Sequence, residues 1–135
     1  MNKKFLLIIL TFTIPIIILM GCKSKNINFN VTGENINNIE ISSLPESDDF
    51  NKILNNNGDI DTIVKYLNSI NPFITKENPN EYVGQTIIIK FNYKDGSTKE
   101  YYHFGNMFIK EDDGIFYELK YEEAEKLGEI INNIQ

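Results

Sequence analysis

The sequence predicts an α+β domain: an antiparallel sheet, built from a four-strand meander plus one N-terminal strand, with two helices packed on one face. Three observations carry this prediction. Residues 85–119 alternate apolar and polar side chains in short runs, the two-residue period of half-buried strands. Those runs are joined by short glycine-bearing turns, which make consecutive strands antiparallel. Residues 60–70 and 124–134 instead space their apolar side chains three and four apart, the stripe of a helix with one buried face.

Taken in order, Ile39 and Ile41 alternate with polar neighbours, so 38–43 is the first strand, and Leu44-Pro45 ends it because proline cannot donate to a ladder. Phe50, Ile53 and Leu54 keep helical spacing in a polar setting, which leaves a short turn or a strand open. Asp59 is the expected N-cap of the first helix, since a carboxylate accepts from the free amides of a first turn. Ile60, Ile63, Val64 and Leu67 then form one stripe, Ile70 extends it, and Asn71-Pro72 stops it. A loop containing Pro72 and Pro79 leads to Gly84. Ile87, Ile89, Phe91 and Tyr93 share one face of a strand over 85–93, and Lys94-Asp95-Gly96-Ser97 turns the chain into a second over 98–104. Gly105-Asn106 leads into a strand over 107–110, and Glu111-Asp112-Asp113-Gly114 into another over 115–119. In the final helix, 121–134, Ala124, Leu127, Ile131 and Ile134 make the buried stripe. Glu122, Glu123 and Glu125 suit the positive end of its dipole, and Gly128 weakens its interior by about 1 kcal/mol relative to alanine.

Residues 1–21 follow a different pattern. Lys3 and Lys4 precede an apolar run from Phe5 to Met20 that is shorter than the about 20 residues of a spanning helix. Pro15 interrupts it, at the cost of a helical hydrogen bond. The run closes on Leu19-Met20-Gly21-Cys22, where a small residue directly precedes the only cysteine. Together with the basic and apolar residues before them, these four positions resemble the lipobox of bacterial lipoproteins. The resemblance implies a signal peptide over 1–21, cleavage between Gly21 and Cys22, and a diacylglyceryl group on the Cys22 sulfur. It places the chain on the extracytoplasmic side of the cell membrane, anchored by lipid. On that reading 22–37, polar and asparagine-rich, is a flexible tether along which Phe29 and Val31 can dock, and 38–135 is a single domain.

Loss of Lys3 and Lys4 with the leader takes the formal charge from −6 to −8. Nucleic acid is thereby excluded as a partner, because its binding rests on basic neutralisation of phosphates. An acidic chain also gains nothing from an anionic lipid surface, so attachment falls to the acyl chains, at about 0.8 kcal/mol per buried methylene.

Reactive constellations are not evident. With Cys22 acylated no thiol is left, and His103 is the lone histidine, so a zinc cluster cannot be assembled and no cofactor is expected. Placing Gly58 at the sixth position of a calcium loop puts Ile53 first and Val64 twelfth, where oxygen ligands are required. The sheet offers more. With a two-residue Asp95-Gly96 turn, Ile89 pairs with Tyr102 and Ile87 with Phe104, and the opposite face carries Ile88, Lys90, Tyr101, His103 and Phe108 as a candidate partner surface. With a three-residue loop and a bulge, Lys90 lies opposite Glu100 and Tyr101 and His103 turn inward, because a one-residue slip exchanges the faces.

Tyr66-Leu67-Asn68-Ser69, Asn78-Pro79-Asn80-Glu81-Tyr82 and Tyr102-His103-Phe104-Gly105-Asn106-Met107-Phe108 resemble small lipoproteins and exported proteins of clostridia and related low-GC Gram-positive bacteria, over residues 38–134. That resemblance implies location and fold and brings no catalytic or binding residues. The expectation is a lipid-anchored binding or interaction module without catalytic activity, with a protein partner in the cell envelope. A lipoprotein that captures a secreted toxin or hydrolase for self-protection is a second reading. A cell-envelope hydrolase using His103 or a carboxylate pair is a third.

Overall fold

The computed structural model describes residues 27–134, apart from 76, 106 and 113. The predicted signal peptide and Cys22 lie outside the described residues. Seven strands and two α-helices follow in chain order among the described residues: β1 (Ile36–Leu44), β2 (Lys52–Leu54), α1 (Asn57–Ser69), β3 (Phe73–Ile74), β4 (Thr86–Tyr93), β5 (Thr98–Phe104), β6 (Phe108–Glu111), β7 (Phe116–Glu118) and α2 (Tyr121–Asn133). The strands form a single seven-stranded antiparallel sheet in the order β2-β1-β4-β5-β6-β7-β3. The class is α+β, and β4 to β7 are a meander as expected.

Two strands enlarge the predicted sheet, and both are short pieces at its edges. On one side Ile39 pairs with Leu54 and Ile41 with Lys52; on the other Phe73 pairs with Glu118 and Ile74 with Tyr117. Segments of three and two residues have no readable period of their own, and only the neighbouring strand makes them extended. Short edge strands also leave little unpaired ladder for another chain to join.

One face of the sheet carries Ile39, Ile41, Ile87, Ile89, Phe91, Tyr101 and Ile109, and these pack with Ile60, Ile63 and Leu67 of α1 and Ala124, Leu127 and Ile131 of α2 into one core. Both helices therefore cover this inner face. The α1 start lies a little upstream of the expected cap: Asn56 Oδ1 accepts from the Asp59 amide at 2.8 Å, so Asn56 is the N-cap and Asp59 belongs to the first turn. At the other helix, Lys52 of β2 donates from Nζ to the Ile131 and Ile134 carbonyls at 2.8 and 2.6 Å. A cation there satisfies carbonyls that a helix end leaves without partners, and it complements the dipole.

Part of the stretch expected to be a tether belongs to the core. Phe29 and Val31 are each 7% exposed and Ile36 is 6% exposed, all within the core. The Phe29 ring meets Tyr101 and Tyr117 edge-on at 5.3 and 5.9 Å. The Val31 amide donates to Asn68 Oδ1 and the Val31 carbonyl accepts from Asn68 Nδ2, both at 2.8 Å. An α1 side chain thus pairs with the backbone as a neighbouring strand would, and Phe29 and Val31 belong to the core.

Candidate functional site

The β4–β5 turn decides which side chains face which way. Tyr93 donates its amide to the Ser97 carbonyl at 2.9 Å, and Gly96 donates to the Tyr93 carbonyl at 3.0 Å. Lys94, Asp95 and Gly96 thus form a three-residue loop, with Gly96 at φ +84°, where a side chain is disfavoured. Asp95 Oδ1 accepts from the Ser97 amide and hydroxyl at 2.9 and 2.6 Å, which holds its carboxyl below the usual range. Lys90 consequently lies opposite Glu100, Ile89 opposite Tyr101 and Ile87 opposite His103. The two-residue register, which pairs Ile89 with Tyr102, does not form.

The five candidate surface residues are divided by this register. Tyr101 and His103 point to the inner face and are buried, at 0% and 1% exposed. Ile88, Lys90 and Phe108 are on the outer face. Phe108 is buried there too, at 1% exposed, because Tyr82 folds back over it with ring centroids 5.3 Å apart. The loop carrying Tyr82 is held close by Gly84, where a Cβ would stand 2.9 Å from the Gly105 Cα. A hydrogen bond from the Tyr82 hydroxyl to Glu77 holds the ring over Phe108.

His103 is buried without a side-chain partner among the described residues. Among the described residues, no nucleophilic side chain is hydrogen-bonded to either of its ring nitrogens. It lines a cavity of about 330 Å³ beneath α2, with Phe50, Gln85, Ile87 and Gly128. Burial drives its pKa down to about 4, with a small opposing contribution from its own backbone, so the imidazole is neutral at ordinary pH. Tyr101 is wedged edge-on between Phe29 and Phe91. Burial, and after it the Glu111 carboxylate, pushes its ionisation far upward.

What the outer face presents instead is a platform of rings around one lysine. Leu44, Thr86, Tyr102, Phe104, Lys110 and Phe116 line a shallow cleft of about 250 Å³. Lys110 Nζ lies 4.7 Å from the Tyr102 ring centroid and 5.3 Å from that of Phe116, so the ammonium is held between two aromatic faces. Tyr102 donates its hydroxyl to Glu100; that bond, with burial second, pushes its pKa up to about 12. Beside the platform, Lys90 meets Glu40 at 3.7 Å, and Asn92 donates to Asn38 and Glu40 at 2.6 and 2.8 Å. Leu44 and Ile53 stand exposed toward the β2 edge. Tyr102, Phe104, Lys110 and Phe116 are absent from the expected surface, and the three-residue reading of the 93–97 turn is the signal that places Tyr102 and Phe104 there.

Among the described residues, no three His, Cys, Asp or Glu side chains converge as a metal site. No helix among them is long and apolar enough to cross a membrane. Gly21 and Cys22, the predicted cleavage and lipid-attachment residues, fall outside the described residues. No protein-family model, no curated protein and no solved structure matches the chain.

Proposed function

We propose that the protein is a lipid-anchored, extracytoplasmic binding module without catalytic activity, presenting the outer face of its sheet to a protein partner in the cell envelope. The observation that carries this reading is the Tyr102–Lys110–Phe116 stack beside Phe104 and Leu44, on a face that neither helix covers. Rings and a cation already ordered against one another lose less freedom on association than mobile side chains. Aromatic residues are also the usual energetic anchors of protein interfaces. Size favours a protein over a small molecule: small-ligand pockets run to roughly 300–1,000 Å³ and enclose most of the ligand, whereas this cleft holds about 250 Å³ and is open. It accepts a side chain from a facing surface.

Photo-crosslinking in intact cells tests the reading. A photoreactive phenylalanine analogue placed at Tyr102 or Phe116 is expected to yield a discrete protein adduct, and the same analogue at Lys65 of α1 is expected to yield none. No adduct from the outer face, or the same adducts from both faces, refutes the assignment of the partner surface.

A further inference from the structure

The described part of the chain enters its core close to an exposed apolar edge, and the two features together identify what that edge meets. Seven residue steps separate Cys22 from Phe29, and a fully extended chain of that length spans at most about 25 Å. A domain of this size has a radius of gyration of about 13 Å, so its diameter exceeds that reach. If Cys22 is at the bilayer, the end of the domain around Phe29 has to face it.

That end carries apolar side chains in the open. Phe29 rests on Tyr117 of β7, with ring centroids 5.9 Å apart. Tyr117 is paired with Ile74 of the edge strand β3, and Ile74 is 65% exposed. Ile115, just before β7 and two residues from Tyr117, is 48% exposed. Partners across an antiparallel ladder are about 5 Å apart, and a two-residue step along a strand is about 7 Å. Ile74 and Ile115 therefore stand nearer to Phe29 than the extended tether is long. Because Phe29 also meets Tyr101 of β5 at 5.3 Å, its ring lies over β5 to β7, about two strand spacings, roughly 10 Å, from β3 and about four, roughly 19 Å, from the opposite edge strand β2.

We infer that the β3–β7 edge, through Ile74 and Ile115, rests in the interfacial layer of the bilayer. Two half-exposed isoleucines add little to the hold of two acyl chains, and their effect is on orientation. They set the domain on its β3 edge, with β2 uppermost and the outer sheet face turned sideways, clear of the headgroups. Lys23 and Lys25, which follow Cys22 directly in sequence, add positive charge where an acidic domain is least suited to an anionic surface.

This inference rests on the reading that Cys22 carries the lipid, and the experiment separates the two. The full, processed chain is reconstituted in phosphatidylcholine–phosphatidylglycerol vesicles, with a nitroxide attached through Ile74→Cys, Ile115→Cys or Ile53→Cys. Cys22 is checked by mass spectrometry in each sample. With Cys22 lipidated, labels at 74 and 115 are expected to gain access to oxygen and to lose access, several-fold, to a water-soluble nickel chelate. The label at 53 is expected to remain as accessible as in water. A lipidated Cys22 with aqueous labels at 74 and 115 overturns the edge assignment alone. Dipolar broadening between labels on different molecules assigns the edge to a second copy and also overturns it. An unmodified Cys22 thiol overturns both readings.

Discussion

His103 makes the stability of this domain pH-dependent in a window where few other groups titrate. The folded protein holds its pKa near 4 by burial, while an unfolded chain returns it to the ordinary value of about 6.5. Below 6.5 the unfolded state takes up a proton that the folded state refuses, so acid favours unfolding. The stability is fully present above about 6.5 and is lost as the pH falls toward 4. Integrated from pH 7.5 to pH 5, the linkage amounts to about 2 kcal/mol, which for a domain of this size lowers Tm by roughly 10 °C. The charged groups lining the same cavity are Glu125 and Glu129 of α2. Burial sets the direction of the shift, opposed by a contribution from the histidine's own backbone. Urea unfolding at pH 7.5, 6.5, 5.5 and 5.0 measures the slope. Ordinary carboxylates, near 4, remain mostly ionised down to pH 5. Because the chain has one histidine, His103→Leu and His103→Gln remove its only imidazole and are expected to flatten the profile across this window. Equal slopes in wild type and both variants would refute the reasoning.

Three further outcomes follow from particular contacts. Lys52→Met keeps most of the stem but removes two charge-assisted bonds to the end of α2; a loss of about 1–2 kcal/mol is expected by urea titration, with faster amide exchange at residues 130–134. Asn68→Ala leaves the Val31 amide and carbonyl without their partners and should cost about 1–3 kcal/mol, with protease cleavage gained between residues 27 and 35. A Cβ at Gly128 would meet nothing within 4 Å, so Gly128→Ala should stabilise by up to about 1 kcal/mol through helix propensity, read as a higher urea midpoint at unchanged slope.

The sequence discloses the fold where long elements repeat a period and misleads where a single residue of register decides. Ile60, Ile63, Val64 and Leu67 announce α1, and residues 85–119 announce the meander, because many side chains agree on one face. The 93–97 turn has no such redundancy. Asp-Gly is compatible with both a two- and a three-residue loop, and the difference exchanges Tyr101 and His103 with Tyr102 and Phe104. Burial settles it in favour of Tyr101, whose ring fills the space between Phe29 and Phe91. That partner lies in a stretch of chain too polar to read as core. Phe29 and Val31 are isolated apolar residues among asparagines; what fixes Val31 is an α1 side chain 37 positions away, and what fixes Phe29 is the pair of rings Tyr101 and Tyr117. Asn56 exceeds Asp59 as a cap for a similar reason: several polar residues in succession can each cap, and the backbone selects one. Phe108 is legible as an outer residue, but Tyr82 hides it through a loop with no periodicity.

These corrections bear on the proposed function in one direction. A domain starting at residue 38 on a sixteen-residue leash would turn freely above the membrane, and the location of its partner would say nothing about its orientation. On the proposed anchorage at Cys22, docking of Phe29 and Val31 leaves at most seven steps between lipid and core, less than the width of the domain. On the proposed orientation the Tyr102–Lys110–Phe116 platform then faces along the membrane plane. The partner this arrangement suits is a membrane-bound or wall-proximal protein at similar height, since a diffusing solute would gain nothing from it. Lengthening the tether offers a discriminating measurement. Inserting about ten Gly/Ser residues after Lys25 raises the root-mean-square reach by roughly 8 Å and the fully extended reach by roughly 35 Å, and leaves every described contact intact. If the partner is anchored, crosslinking from Tyr102 should fall while the folded domain keeps its urea midpoint. If crosslinking is undiminished, the platform does not depend on height, and a partner free in the envelope space replaces the anchored one.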